Sequence, residues 1–154
     1  MIYAINKQDD SKNTDKPQLM ETNNNNWPDA VRFMETNAKW RRWQIEDLDT
    51  RLRKVYAQDT SYPRTSSEWT SENPCFGHCA IVSLIVQDLF GGQIVKVEEL
   101  HHYYNLIDDK RIDLTKDQFA KNIYCDEPFS FADRTLLLSN EDTKRRYEIL
   151  KSRL

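Results

Sequence analysis

The chain is poor in the residues that build several familiar sites. It has three glycines in 154 residues. Neither GxGxxG nor GxxxxGK[ST] occurs, so a glycine-rich phosphate cradle has no support. It has three cysteines, Cys75, Cys79 and Cys125. An odd number argues against a disulfide framework, and a reduced, cytoplasmic setting is expected. No apolar run approaches the roughly 18 residues of a membrane span. Met1 is not followed by a basic segment and an apolar segment, so no secretory signal and no membrane partner are expected. Basic excess is also missing: 22 Lys and Arg stand against 25 Asp and Glu, a net charge of −3. Nucleic acid is therefore not an expected partner.

What is present begins after a polar start. Residues 8–16 are almost wholly polar, and Asn23 to Asn26 form an asparagine tract. Such composition does not offset ordering entropy. The reading is a weakly ordered leader over 1–37, with a short strand or turn near Met1 and a short helix opened by Trp27-Pro28-Asp29. A single domain over 38–154 completes the chain. From Trp40 through Trp43, Ile45, Leu48, Leu52, Val55 and Tyr56 apolar residues recur every three or four positions, which predicts an amphipathic helix. A Ser/Thr/Asn/Pro-rich loop leads to Asn73-Pro74-Cys75-Phe76-Gly77-His78-Cys79. The run Ala80 to Phe90 is apolar nearly all round and stops at Gly91-Gly92, which predicts a central buried helix. Gln93 to Val97, His102 to Ile107 and Arg111 to Leu114 read as strands, the last two joined at Asp108-Asp109. Thr115-Lys116-Asp117-Gln118 has a capping-box spelling. A C-terminal helix is expected after Ser139-Asn140-Glu141-Asp142, with Lys151 and Arg153 in its last turn. This order points to an α+β fold, a buried helix packed on a small antiparallel sheet.

One constellation carries chemistry. Cys79 lies at the start of the buried helix, where the dipole and unpaired N–H groups favour a thiolate. His102 and Asp113 lie on the two strands of one hairpin, as direct or diagonal neighbours on one face. That is the nucleophile, base and orienter logic of a Cys-His-Asp triad. The Cys79 N–H offers one oxyanion donor, and the Asn73 amide or His78 a second. Each residue also has a structural reading: a small core cysteine, a hydrogen-bonded strand histidine, an aspartate beside a cap.

The residues Asn73-Pro74-Cys75-Phe76-Gly77-His78-Cys79-Ala80, Val86-Gln87-Asp88-Leu89-Phe90-Gly91-Gly92, His102-Tyr103-Tyr104-Asn105 and Asp113-Leu114-Thr115-Lys116-Asp117-Gln118-Phe119 resemble, in that order, the NPxxGQCA, VQDxFGG, HYWN and DLTxxQF motifs of the YunG-like family of small bacterial proteins. The resemblance runs from about Asp47 to Leu154. That family is in turn similar to the transglutaminase-like and papain-like cysteine hydrolases. The resemblance implies their fold, with Cys79 as nucleophile, His102 as base and Asp113 as orienter. His78 stands where the family has Gln, and Tyr104 where it has Trp, which makes both candidate binding residues.

The resulting expectation is acyl transfer at an amide or ester carbonyl of a protein, peptide or small amide, without a cofactor. Hydrolysis, deamidation and transamidation share the first step. A zinc site from Cys75, His78, Cys79, His101 and His102 is disfavoured, because no CxxC knuckle occurs and adjacent strand histidines face opposite ways. The alternative is a non-catalytic binding protein that retains the fold. Trp27, Trp40, Trp43 and Trp69 are its candidate anchors if exposed.

Overall fold

The computed structural model describes residues 27–119 and 128–154, with side chains from 41 onward. The chain divides between Ile45 and Glu46 into two compact units, and everything that positions the site lies in the second. The expected turn near Met1 and the side chains of Trp27 and Trp40 lie outside the described residues, as does Cys125.

Helix α1 runs from Trp27 to Val55 without interruption. The sequence predicts two helices here, with a break after Glu35. Residues 36–39, Thr-Asn-Ala-Lys, include neither Pro nor Gly to end the first helix, so it continues. In the second unit α1 buries Leu48 and Leu52, and Tyr56, just past its end, continues the stripe at helical spacing.

Helix α2, Cys79–Phe90, is the central element, and its residues Ile81, Val82, Ser83, Leu84, Ile85 and Val86 are all buried. Strands β1 (Gln93–Val97), β2 (His102–Ile107) and β3 (Lys110–Ile112) form an antiparallel meander, and β4 (Phe129–Ala132) adds beside β1. The sheet order is β3-β2-β1-β4. The β2–β3 hairpin turns at Asp108 and Asp109, with φ of 49° and 58°. Two left-handed residues in succession give the primed turn whose twist suits a two-residue hairpin. β3 stops short of the expected Leu114, because the Asp113 carboxylate takes the Thr115 N–H at 3.0 Å and bends the chain away.

Ile94 and Ile107 join α2 and the α1 stripe in the main core. Val95, Val97 and Tyr104 form a second cluster, as the period of two along a strand requires. Asn105 ties β2 to α2 by donating to the Ser83 carbonyl at 3.0 Å, so this buried amide is satisfied. Helix α3 (Arg134–Ser139) precedes α4 (Glu141–Ser152). The side chain of Asn140 caps α4 by accepting from Thr143 N at 2.9 Å, in agreement with the expected start. Neither β4 nor α3 is foreseen by the sequence reading. The fold is mixed α and β: a small antiparallel four-stranded sheet with, among the described residues, four α-helices.

A candidate cysteine-histidine-aspartate site

The segment before α2 is held from several sides. Trp69 donates its indole N–H to the Pro74 carbonyl at 2.9 Å, and Ser61 donates its hydroxyl to the Phe76 carbonyl at 2.8 Å. Gly77 has φ +75°, and a Cβ there would lie 2.4 Å from Ser61 Oγ and 2.7 Å from the Tyr62 backbone nitrogen. Only glycine permits this approach. The His78 carbonyl then accepts from Val82 N at 2.9 Å, so Cys79 is the first residue of α2. Its N–H is among the helix-start donors outside the i to i−4 ladder.

Cys79 is partly exposed, and its thiol donates to the His101 carbonyl at 3.9 Å. Cys75 is buried, with weak thiol contacts at 3.8 Å to Asn73 Oδ1 and the Thr115 carbonyl. Burial pushes its thiol up to about 11.

His102 opens β2 with a side chain wholly shielded from solvent. In the β2–β3 register Asn105 faces Ile112, which leaves Asp113, one step past β3, diagonal to His102. Nε2 of His102 lies 2.8 Å from Asp113 Oδ2. A carboxylate oxygen accepts, so Nε2 carries the proton. The other oxygen, Oδ1, accepts from Thr115 N at 3.0 Å and Thr115 Oγ1 at 3.2 Å, which fixes the carboxylate plane. Burial acts to lower the His102 pKa, but hydrogen bonds from the ring to Asp113 and Cys79, with the charge of both groups, outweigh it and raise the value to about 9. The histidine is thus paired with the carboxylate and feels the thiol electrostatically.

The other residues singled out in the sequence take different places. His101 is exposed in a left-handed conformation, φ 47°, and offers Cys79 its carbonyl. His78 does not enter the site. Its ring is buried against Tyr56, with Nδ1 2.9 Å from the Phe76 carbonyl and Nε2 2.9 Å from Thr60 Oγ1. A carbonyl only accepts, so Nδ1 carries the proton, and Nε2 meets the Thr60 hydroxyl, which also reaches the Ala57 carbonyl at 3.0 Å. Burial pulls its pKa down to about 4, which leaves the ring neutral. The expectation that His78 supplies an oxyanion donor is corrected by this placement: both ring nitrogens are already engaged elsewhere. Asn73 uses its amide on the Gln118 carbonyl at 3.4 Å and accepts from Cys75, so its bonds do not run to Cys79. Tyr104 is buried beside His102, with ring centroids 6.5 Å apart and the Arg111 guanidinium over its face. Among the described residues no group of three potential ligands could hold a metal ion. Trp69 gives its N–H to Pro74, while Trp43 is 39% exposed.

Sequence reasoning missed the role of Gln118. Its Nε2 donates to the Thr115 carbonyl at 3.0 Å and lies 3.1 Å from His102 Nδ1. The capping box expected at Thr115 is therefore absent: the Thr115 N–H goes to Asp113 and the Gln118 amide to the histidine. In place of a longer helix the chain makes a three-residue 3₁₀ turn, Lys116–Gln118. Phe119 closes the ring's surroundings edge-on at 4.9 Å. The one available signal is proximity in sequence to Asp113, and the capping-box spelling masks it.

Residues 44–154 match the family model described as YunG protein. Over 80 residues the chain is 39% identical to the uncharacterized protein YunG of Bacillus subtilis (strain 168), covering 51% of this chain and 70% of that protein. No solved structure matches the chain. None of the described helices is long and apolar enough to cross a membrane.

Proposed function

The chain belongs to the YunG family, and from that footing we propose that Cys79, His102 and Asp113 form a thiol acyl-transfer centre acting on an amide or ester carbonyl. The observation that carries the reading is the His102 ring, buried and hydrogen-bonded to the Asp113 carboxylate at 2.8 Å, interacting electrostatically with the partly exposed Cys79 at the start of α2. A buried imidazole bonded to a carboxylate alone is a structural motif. One that also meets a partly exposed thiol at a helix start is equipped for nucleophilic catalysis. A cysteine opening the central helix, with histidine and aspartate on a hairpin, also supports a likeness to papain-like and transglutaminase-like hydrolases.

The chemistry derives from the geometry. His102 takes the Cys79 proton as the sulfur attacks the carbonyl carbon, and Asp113 stabilises the imidazolium. The Cys79 N–H, outside the helix ladder, serves as a donor to the developing oxyanion. His102 returns the proton to the departing amine or alcohol as its bond to carbon breaks, leaving a thioester. Water attacks the thioester, its proton passes to His102, and the thiol leaves reprotonated. An amine in place of water gives transamidation.

Iodoacetamide at about pH 6 tests the thiol directly. Cys79 is expected to be alkylated well ahead of Cys75, which is buried and holds its proton more tightly. His102→Ala should remove most of that reactivity, and Asp113→Asn should reduce it less, since Asp113 acts through the imidazole. Equal alkylation of Cys75 and Cys79, or a rate at Cys79 indifferent to His102→Ala, sinks the reading.

A further inference from the structure

We infer that Gln118 is a positioning residue that opposes a second proton on His102 and fixes the neutral ring, where it forms, with its Nδ1 lone pair presented and its Nε2 proton on Asp113. The inference rests on His102 being the base of the proposed reaction. Three contacts carry it. The Thr115 carbonyl can only accept, so the bond to it at 3.0 Å orients the Gln118 amide with its nitrogen toward His102. That same nitrogen lies 3.1 Å from His102 Nδ1. Asp113 occupies Nε2 at 2.8 Å, so Nδ1 is the position where a second proton would enter. An N–H donor aimed there is satisfied by a lone pair and repelled by an N–H. Protonating His102 therefore costs the Gln118 bond, and flipping the amide to present oxygen would forfeit the bond to Thr115.

The charged and titratable groups around the ring pull the other way. Cys79 comes from α2 and Asp113 from the segment after β3, and both favour the imidazolium. Tyr103 and Tyr104 flank it on β2, the latter under Arg111 of β3. Asp117, next to Gln118, is paired with Arg53 of α1 at 2.6 Å. Gln118 is thus the donor that offsets the two acidic partners. Without such an opposing donor the ring would hold its second proton to still higher pH.

The test is a ring titration by NMR on the full chain labelled with ¹⁵N-histidine, which has three histidines to assign. In the native chain above the His102 midpoint, the neutral ring should carry its proton on Nε2 and show Nδ1 as a hydrogen-bonded acceptor. The opposite tautomer overturns the inference, and this measurement needs no variant. In Gln118→Leu the His102 midpoint should move to higher pH by roughly half to one pH unit, the scale of one neutral hydrogen bond. Gln118→Glu, which presents an acceptor, should raise it further. A purely structural role predicts the reverse, because a loosened, wetter site drifts down from about 9 toward the ordinary 6.5. A midpoint that falls or stays put in Gln118→Leu overturns the assignment. Failure of the acyl-transfer reading is a separate result: it appears as Cys79 alkylation indifferent to His102, and leaves the titration readable.

Discussion

At the scale of single residues, the two buried histidines do opposite work. His102 shares its ring between Cys79 and Asp113, whereas His78 sits one residue from the sulfur in sequence and turns its ring into the core toward Tyr56 and Thr60. His78→Ala removes a stacked ring and leaves the Thr60 hydroxyl and Phe76 carbonyl without it. A loss of about 2–3 kcal/mol is expected in urea unfolding, the usual size for a cavity plus stranded polar groups. The folded variant should still alkylate Cys79 as the native chain does. Slowed alkylation in a folded His78→Ala would return His78 to the site.

At the scale of elements, the loop before α2 decides where the nucleophile points. Gly77 lets Ser61 and the Tyr62 backbone approach within the space a Cβ would occupy. Gly77→Ala combines a left-handed backbone with a contact to main chain that cannot yield, so roughly 1–3 kcal/mol should be lost. The start of α2 should shift with it, and Cys79 alkylation should slow. Gly91→Ala is the comparison: φ is +72°, yet nothing lies within 4 Å of its added Cβ. It should cost stability of about 1 kcal/mol and leave alkylation unchanged. Equal effects of the two substitutions on alkylation would show that the loop does not position Cys79.

At the scale of the whole molecule, the histidines set opposite limits on stability. His102 has a folded pKa of about 9 against an ordinary 6.5, so its contribution is complete below about 6.5 and is lost as pH rises through 9. His78 has a folded pKa of about 4, so the unfolded chain gains a proton first and stability falls as pH drops from 6.5 toward 4. Maximum stability is therefore expected near pH 6–7. Urea midpoints measured from pH 4 to 9 check this. His102→Ala should flatten the alkaline limb and His78→Gln the acid limb down to about pH 4, below which Asp59, Asp88 and Asp142, all with lowered pKa values, take over. An alkaline limb that persists in His102→Ala would refute the assignment of its origin.

Elements governed by neighbours along the chain were legible in the sequence. The mostly apolar run closed by Gly91-Gly92 determines α2, alternation determines β1 and β2, and Asn140 determines the start of α4, because periodicity and caps act over one turn or one pleat. The pairing of His102 with Asp113 was legible too, since a two-residue hairpin sets which side chains share a face. Tertiary structure decided the rest. β4 is four residues long, and its Phe129 and Phe131 stay exposed, so its pairing with β1 supplies what its own pattern lacks. The direction of the His78 ring depends on Thr60, eighteen positions earlier. Gln118 reads as a cap because Thr115 is three residues away, yet its amide reaches His102, sixteen residues back along the chain. Where a side chain with two donors has a local and a distant acceptor, spacing announces the local one. Only packing shows that it serves both.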